Sequence, residues 1–214
     1  MTVATNPDLF PRTLIYIHII HSQVDMGAFS KSVRRVALEK FGEVAWRRKV
    51  NLVEKMWQEI EKFIKKLSLS YEKVRLFQDG LPVCGRENEI VSEVAKAGSW
   101  NYRLLLHLMK KGATIMGTES PELLVEEYEQ TKQILAQGDV SQADQTKSQP
   151  QIPDESLLDR RDQYIADRIH STLQSGETGI LFLGMLHSLE KRLPKDMHVV
   201  MFPPNQIPNG RGGR

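Results

Sequence analysis

Cysteine is nearly missing: Cys84 is the single one in the chain. That excludes an internal disulfide framework and fits a reducing compartment. Long apolar runs are missing too. No stretch reaches the roughly 18 consecutive apolar residues of a membrane-spanning helix. The opening MTVATNPDLFPR lacks the basic start of a secretory signal, and the apolar run after it is short and carries two histidines. Excess charge of one sign is also absent. Twenty-nine basic residues against 27 acidic give +2, which supplies no electrostatic ground for nucleic acid or an anionic membrane. There is no phosphate loop, since GTES at 117–120 has neither the lysine nor the glycine run, and no Gly-x-Ser-x-Gly nucleophile turn. RGGR at the tail is one copy of an RNA-binding-like motif and weighs little. These absences lead us to expect a cytoplasmic protein with no nucleic-acid partner and no membrane.

What is present suits one core. With 214 residues and 40% hydrophobic content, the chain is long enough for a single domain, expected over residues 1–202. Short β-branched runs fit strands covered on both faces: TLIYIHIIH (Thr13 to His21), KVRLFQDG (Lys73 to Gly80), GATIMGTES (Gly112 to Ser120), GILFLGMLH (Gly179 to His187) and MHVVMF (Met197 to Phe202). Between them lie helical patterns. One begins near Ala28 and breaks around Gly42. In the next, Glu43 to Leu67, Val50, Val53, Trp57, Ile60, Ile64 and Leu67 recur at spacings of three and four. Glu87 to Lys111 reads as helix with Gly98 as a weak point. Ser120-Pro121 opens a helix to about Gln137, and another spans about Asp154 to Gln174. The polar stretch at about 138–152 is expected to be a flexible loop, and 203–214 a disordered tail. The alternation predicts an α/β domain with a mainly parallel sheet of about five strands flanked by long helices.

Parallel strands deliver their C-terminal ends to one edge, where open α/β sheets bind ligands. The strand ends here carry chemistry. The first offers His18 and His21, with Asp25 just beyond; His21 lies nearer the end. The second offers Asp79, the third Glu119, the fourth His187. Each has a plainer reading: Asp79-Gly80 as a turn, Glu119 as a helix N-terminal charge, His187 as a structural histidine. In the helix before the fourth strand, Asp162 falls on the apolar face of Leu158, Ile165, Ile169 and Leu173, where a carboxylate is costly unless paired; Arg160 and Arg161 precede it. This is an Arg/Asp pair aimed at the strand-end pocket or an ordinary ion pair. Cys84, alone in the loop LPVCGRE, reads more readily as inert than as a nucleophile.

GMLH at the end of the fourth strand, RRDQYIADRIHSTL before it and ATIMGTES earlier resemble the superfamily that joins erythromycin esterases, TraB-like proteins, Tiki-type proteases and haem-binding ChaN-like proteins. Those families carry a terminal Gly-x-x-His, a preceding Arg-Asp or Arg-Asn helix and an earlier strand-end glutamate. The first family motif, Gly-Glu-x-x-His, is incomplete: IHIIHSQVDMG supplies His21 without the glycine or glutamate. The resemblance covers Asp154 to Phe202 and implies a hydrolase of ester or amide bonds that uses His21, Glu119, Arg161, Asp162 and His187; Asp79 from the strand-end reading, or Asp25, would stand in for the missing glutamate and complete the catalytic set.

Two chemical routes stay open. In one, His21, Glu119 and His187 hold a divalent metal such as zinc, manganese or iron, which acidifies bound water. In the other, His21 or Glu119 takes the proton, and His187 or Arg161 stabilises the oxyanion. The alternative to catalysis is a binding or regulatory protein that holds a small molecule or peptide, haem for example, on the same scaffold. A third reading is interaction through the basic helix Glu43 to Leu67.

Overall fold

The computed structural model describes residues 11–140 and 155–202. The described chain runs β1 (Arg12–Ile19), α1 (Ser30–Lys66), β2 (Val74–Gln78), α2 (Glu87–Lys96), α3 (Trp100–Lys110), β3 (Thr114–Met116), α4 (Pro121–Val140), α5 (Glu155–Thr172), β4 (Thr178–Gly184) and β5 (Met197–Phe202). The five strands form one sheet in the order β3-β2-β4-β1-β5, and every pairing is parallel. None of the described helices is long and apolar enough to cross a membrane.

Both faces of the sheet are covered. On one, Ile15, Ile17, Leu76, Ile180 and Phe182 pack against Val53, Trp57, Ile60 and Ile64 of α1 and against residues of α2 and α3. On the other, Leu14, Tyr16, Phe77, Leu181 and Leu183 pack against Ile165, Ile169 and Leu173, the stripe of α5. Each fully buried aliphatic side chain contributes about 1.5–3 kcal/mol. The division of helices follows from handedness. β1 to β2 to β3 steps one way across the sheet and β3 to β4 to β5 steps back, so right-handed crossovers must lie on opposite faces. β4 to β5 has no helix, yet it also passes over β1. There Leu189, fully buried against the α5 side of the sheet, covers the sheet as a helix otherwise would. β1 and β4 are thus neighbours whose exits turn to opposite faces, which opens a crevice at their C-terminal ends.

The breaks expected at Gly42 and Gly98 are found, while several other boundaries shift, each for a local reason. α1 is a single long element, broken at Gly42, whose φ of 76° and ψ of 169° are not helical. Residues 87–111 divide into α2 and α3 at Gly98, where φ is 109°. Ser99 then caps α3 by accepting from the Tyr102 amide. β3 is three residues rather than nine. Gly117 presses on the backbone of Pro82 and Val83, where a Cβ would come within 2.7 Å, and the chain leaves the ladder. β4 ends at Gly184, not at His187; a turn with the His187 amide donating to the Gly184 carbonyl (3.1 Å) follows. β5 matches its expected bounds. α4 continues to Val140, past the expected end near Gln137. The rest of the expected 138–152 loop and the 203–214 tail lie outside the described residues.

The N-terminal edge of the sheet is closed by simpler pairs. Arg12 donates to Asp196 (3.0 Å) and to the carbonyls of His170 and Leu173 at the end of α5. Arg75 meets Glu177 just before β4.

Candidate functional site

At the opposite edge the ionisable residues converge around Asp79. It sits one residue past β2, and its amide still donates to the Phe182 carbonyl of β4 (2.9 Å), which fixes its position. One carboxylate oxygen, Oδ2, accepts from the Gly184 amide (2.9 Å) and lies 3.0 Å from His21 Nε2. The other, Oδ1, accepts from Arg161 Nη2 (3.1 Å) and lies 3.6 Å from His187 Nε2. The Gly-x-x-His turn explains its glycine here. A Cβ on Gly184 would stand 2.8 Å from Asp79 Oδ2 and 3.4 Å from His21 Nε2, so only hydrogen lets the carboxylate seat on the amide.

α5 supplies the other half. Arg161 and Asp162 are both buried, but they do not pair with each other. Arg161 forks onto Glu119, with Nε to Oε2 at 3.0 Å and Nη2 to Oε1 at 2.6 Å, and its Nη1 donates to Glu127 of α4. Asp162 turns to the Gly-x-x-His loop: its Oδ1 lies 2.6 Å from His187 Nδ1 and its Oδ2 accepts from the Ser188 amide at 3.0 Å. Adjacent Arg160 instead makes an exposed pair with Glu126.

Glu119 is fully buried and also accepts from the Gly80 amide (3.2 Å). It does not cap α4. Ser120 does that, accepting from the Leu123 amide. The turn at Asp79-Gly80 is real as well, with Gly80 at a φ of 74°; the same aspartate makes the turn and anchors the cluster. Asp25 holds the edge of the crevice, accepting from the Ser22 amide (2.7 Å) and the Ser99 hydroxyl (2.5 Å). His18 stands apart. Its ring packs on Tyr16 and its nearest carboxylate is Glu190 at 4.0 Å. Cys84 is exposed and is not among the residues lining the cleft.

The cluster's electrostatics follow from burial and neighbours. Burial pushes Asp79 towards its neutral form, but His187 and His21 outweigh it and hold the carboxyl well below its usual range. Burial opposes charge on His187 too, but Asp162 and Asp79 together push it up to about 9. His21 loses less to burial than it gains from Asp79, and is raised. Burial lifts Glu119 above the usual carboxylate range; Arg161 pulls the other way, and nearby Asp79 adds to the rise. Arg161 stays cationic, since Glu119, Asp79 and Glu127 more than offset its burial.

Asp79, Glu119 and His187 each offer one ligand atom, all within 4.8 Å of one another. That grouping has Asp79 where the sequence suggested His21, because His21 reaches the cluster through Asp79. The space between the two carboxylates is bridged by Arg161 Nη2.

A cleft of about 750 Å³ opens onto the cluster, with His21, Asp25, Asp79, Arg161 and His187 on its wall. Sequence reasoning missed Glu127, one of several like acids in ELLVEEYEQ, and it missed the apolar lining of the cleft, although Met185 and Leu186 lie inside the Gly-x-x-His motif. Among known proteins the chain matches no family model, no curated protein and no solved structure.

Proposed function

We propose that the chain is a hydrolase that activates water at this edge of the sheet for attack on an ester or amide. The carrying observation is Asp79, fixed by an amide and a guanidinium so that it orients His21. With its Nε2 proton on Asp79, His21 keeps Nδ1 free to take a proton from water; Nδ1 makes no hydrogen bond among the described residues. This is the geometry of a base oriented by a carboxylate. His187, held protonated by Asp162 and Asp79, supplies the positive charge for the oxyanion that forms. Glu119 is too buried to meet a substrate. Its part is to hold Arg161, and Arg161 in turn holds Asp79. The resemblance to the erythromycin esterase and TraB superfamily points the same way.

The second reading is a divalent metal on Asp79, Glu119 and His187, supported by the closeness of their ligand atoms. Against it, both Glu119 oxygens are taken by Arg161, and a metal ion beside that guanidinium meets a like charge. We therefore favour acid–base hydrolysis without metal.

The test is turnover of a panel of esters and amides by the wild type and by His21→Ala. The substitution should lower kcat about 10²–10⁴-fold with the fold kept by circular dichroism, and a chelator should change nothing. A wild type inert on the whole panel, or a fully active His21→Ala, overturns the hydrolase. Stoichiometric metal in the purified protein, with activity lost on chelation, replaces the first reading by the second.

A further inference from the structure

The cleft beside the cluster has a composition that selects a ligand class. Met185 and Leu186, the two residues between Gly184 and His187, are each 67% exposed, and Ile20 and Tyr128 are 39% and 42% exposed. All four line the cleft, together with Phe29, whose ring packs on Tyr128 with centroids 4.8 Å apart. Exposed apolar side chains that gather in one concave place mark a binding surface, whereas scattered ones do not. Here Met185 and Leu186 directly precede His187, which lines the same cleft. The volume, about 750 Å³, falls within the range that takes an organic ligand of moderate size.

Charge narrows the class further. Among the described residues no lysine lines the cleft, and the one arginine that does, Arg161, is committed through Nε, Nη1 and Nη2 to Glu119, Glu127 and Asp79. Asp25 and Glu127 stand on the same wall. An anionic ligand would therefore meet carboxylates with no spare guanidinium or ammonium to pair it, and the one cation left at the cleft, His187, already lies between Asp162 and Asp79, so binding carries a steep desolvation cost. The two histidines are held by Asp79 and Asp162.

We infer that the ligand is an uncharged compound with a large apolar group, an ester or amide of a medium-length aliphatic acid, whose apolar part lies along Met185, Leu186, Ile20 and Tyr128 while its carbonyl meets His187. Only the identity of the reacting group rests on the hydrolase reading; the apolar, uncharged character rests on the cleft. Hydrolysis then adds water across the carbonyl–oxygen or carbonyl–nitrogen bond, giving the acid and the free alcohol or amine. The acid leaves as an anion that the cleft does not favour, which helps its release.

Two measurements test this on the full chain. The first is kcat/KM for p-nitrophenyl esters from acetyl to octanoyl. The second is calorimetric binding of methyl ketones from butanone to 2-decanone, which mimic the ester but do not hydrolyse, with octanoate as the anionic comparator. kcat/KM and ketone affinity should both rise with chain length, by about tenfold or more over the series, since each buried methylene adds to binding. Octanoate should bind more weakly than 2-decanone, and Leu186→Asn should flatten both series. Hydrolysis that is flat or falls with chain length overturns the apolar class and leaves the hydrolase standing. Length-graded ketone binding with no hydrolysis of any ester supports the ligand class and overturns the hydrolase. Octanoate binding as tightly as 2-decanone overturns the uncharged class.

Discussion

At the N-terminal edge of the sheet, Arg12 reaches Asp196, whose side chain is 67% exposed. At the C-terminal edge, Arg161 and its partners Asp79 and Glu119 are 6%, 6% and 0% exposed. Both are arginines on carboxylates, at opposite ends of the same strands, and the difference lies in water. Solvent screens the first pair, which ties the β5 approach to β1 and the end of α5, and such a bond contributes modestly. The second is dry. Charges there cost several kcal/mol each to bury and are tolerable only while every partner is present. The edge that carries this costly arrangement is also the one that opens into a cleft. A stable sheet needs only the first kind of pair; the second kind is what the proposed hydrolysis would draw on.

Removing Arg161 strains that contrast most. Arg161→Leu strands two buried carboxylates, and the loss in urea denaturation should be about 3–5 kcal/mol; a loss no larger than that of Arg12→Ala would erase the distinction between the edges. The pH dependence comes next. His187 titrates near 9 in the folded chain and near 6.5 in the unfolded one. Its contribution is therefore complete below pH 6.5 and fades as pH rises through about 9. It amounts to on the order of 3 kcal/mol, since one pH unit of displacement is worth about 1.4 kcal/mol. The urea midpoint should fall between pH 6 and pH 10, and His187→Gln should flatten that fall. Gly184→Ala should cost about 1–3 kcal/mol by forcing Asp79 off the amide. The His21 titration followed by NMR should then move down towards 6.5; an unmoved titration would break the link between the glycine and the histidine. The mildest effect belongs to Asp196→Ala, whose urea midpoint should stay within error of the wild type.

Much of this was readable in the sequence where the signal was local. MHVVMF gave β5 to the residue, the three- and four-residue spacing gave Val53, Trp57, Ile60 and Ile64 as the buried face of α1 although Val50 of the same stripe is exposed, and Asp162 was marked by sitting among leucines and isoleucines. Parallel strand direction was enough to send His21, Asp79, Glu119 and His187 to one edge. Who touches whom was not readable. That Asp79 is the hub depends on β4 lying between β2 and β1, and strand order leaves no trace in composition or period. That Arg161 rather than Arg160 turns inward is a matter of about 100° around a helix axis, smaller than the uncertainty of any expected helix start. Glu127 looks like its neighbours Glu126 and Glu129 until α4 is placed beside α5. The shortness of β3 comes from Gly117 meeting a loop 34 or 35 positions earlier, a contact no local pattern encodes.

The central place of β4 also dictates an order of assembly. Its two partners, β1 and β2, precede it in the chain and so leave the ribosome before it, yet they are not hydrogen-bonded to each other. Until residues 178–184 emerge, the nascent sheet has a gap at its middle, and Asp79 has no Gly184 amide to hold it. Such long-range pairing is intrinsically slow to form. The strand that completes the sheet is therefore the same one that completes the cluster, and a shortened chain lacking it loses both together.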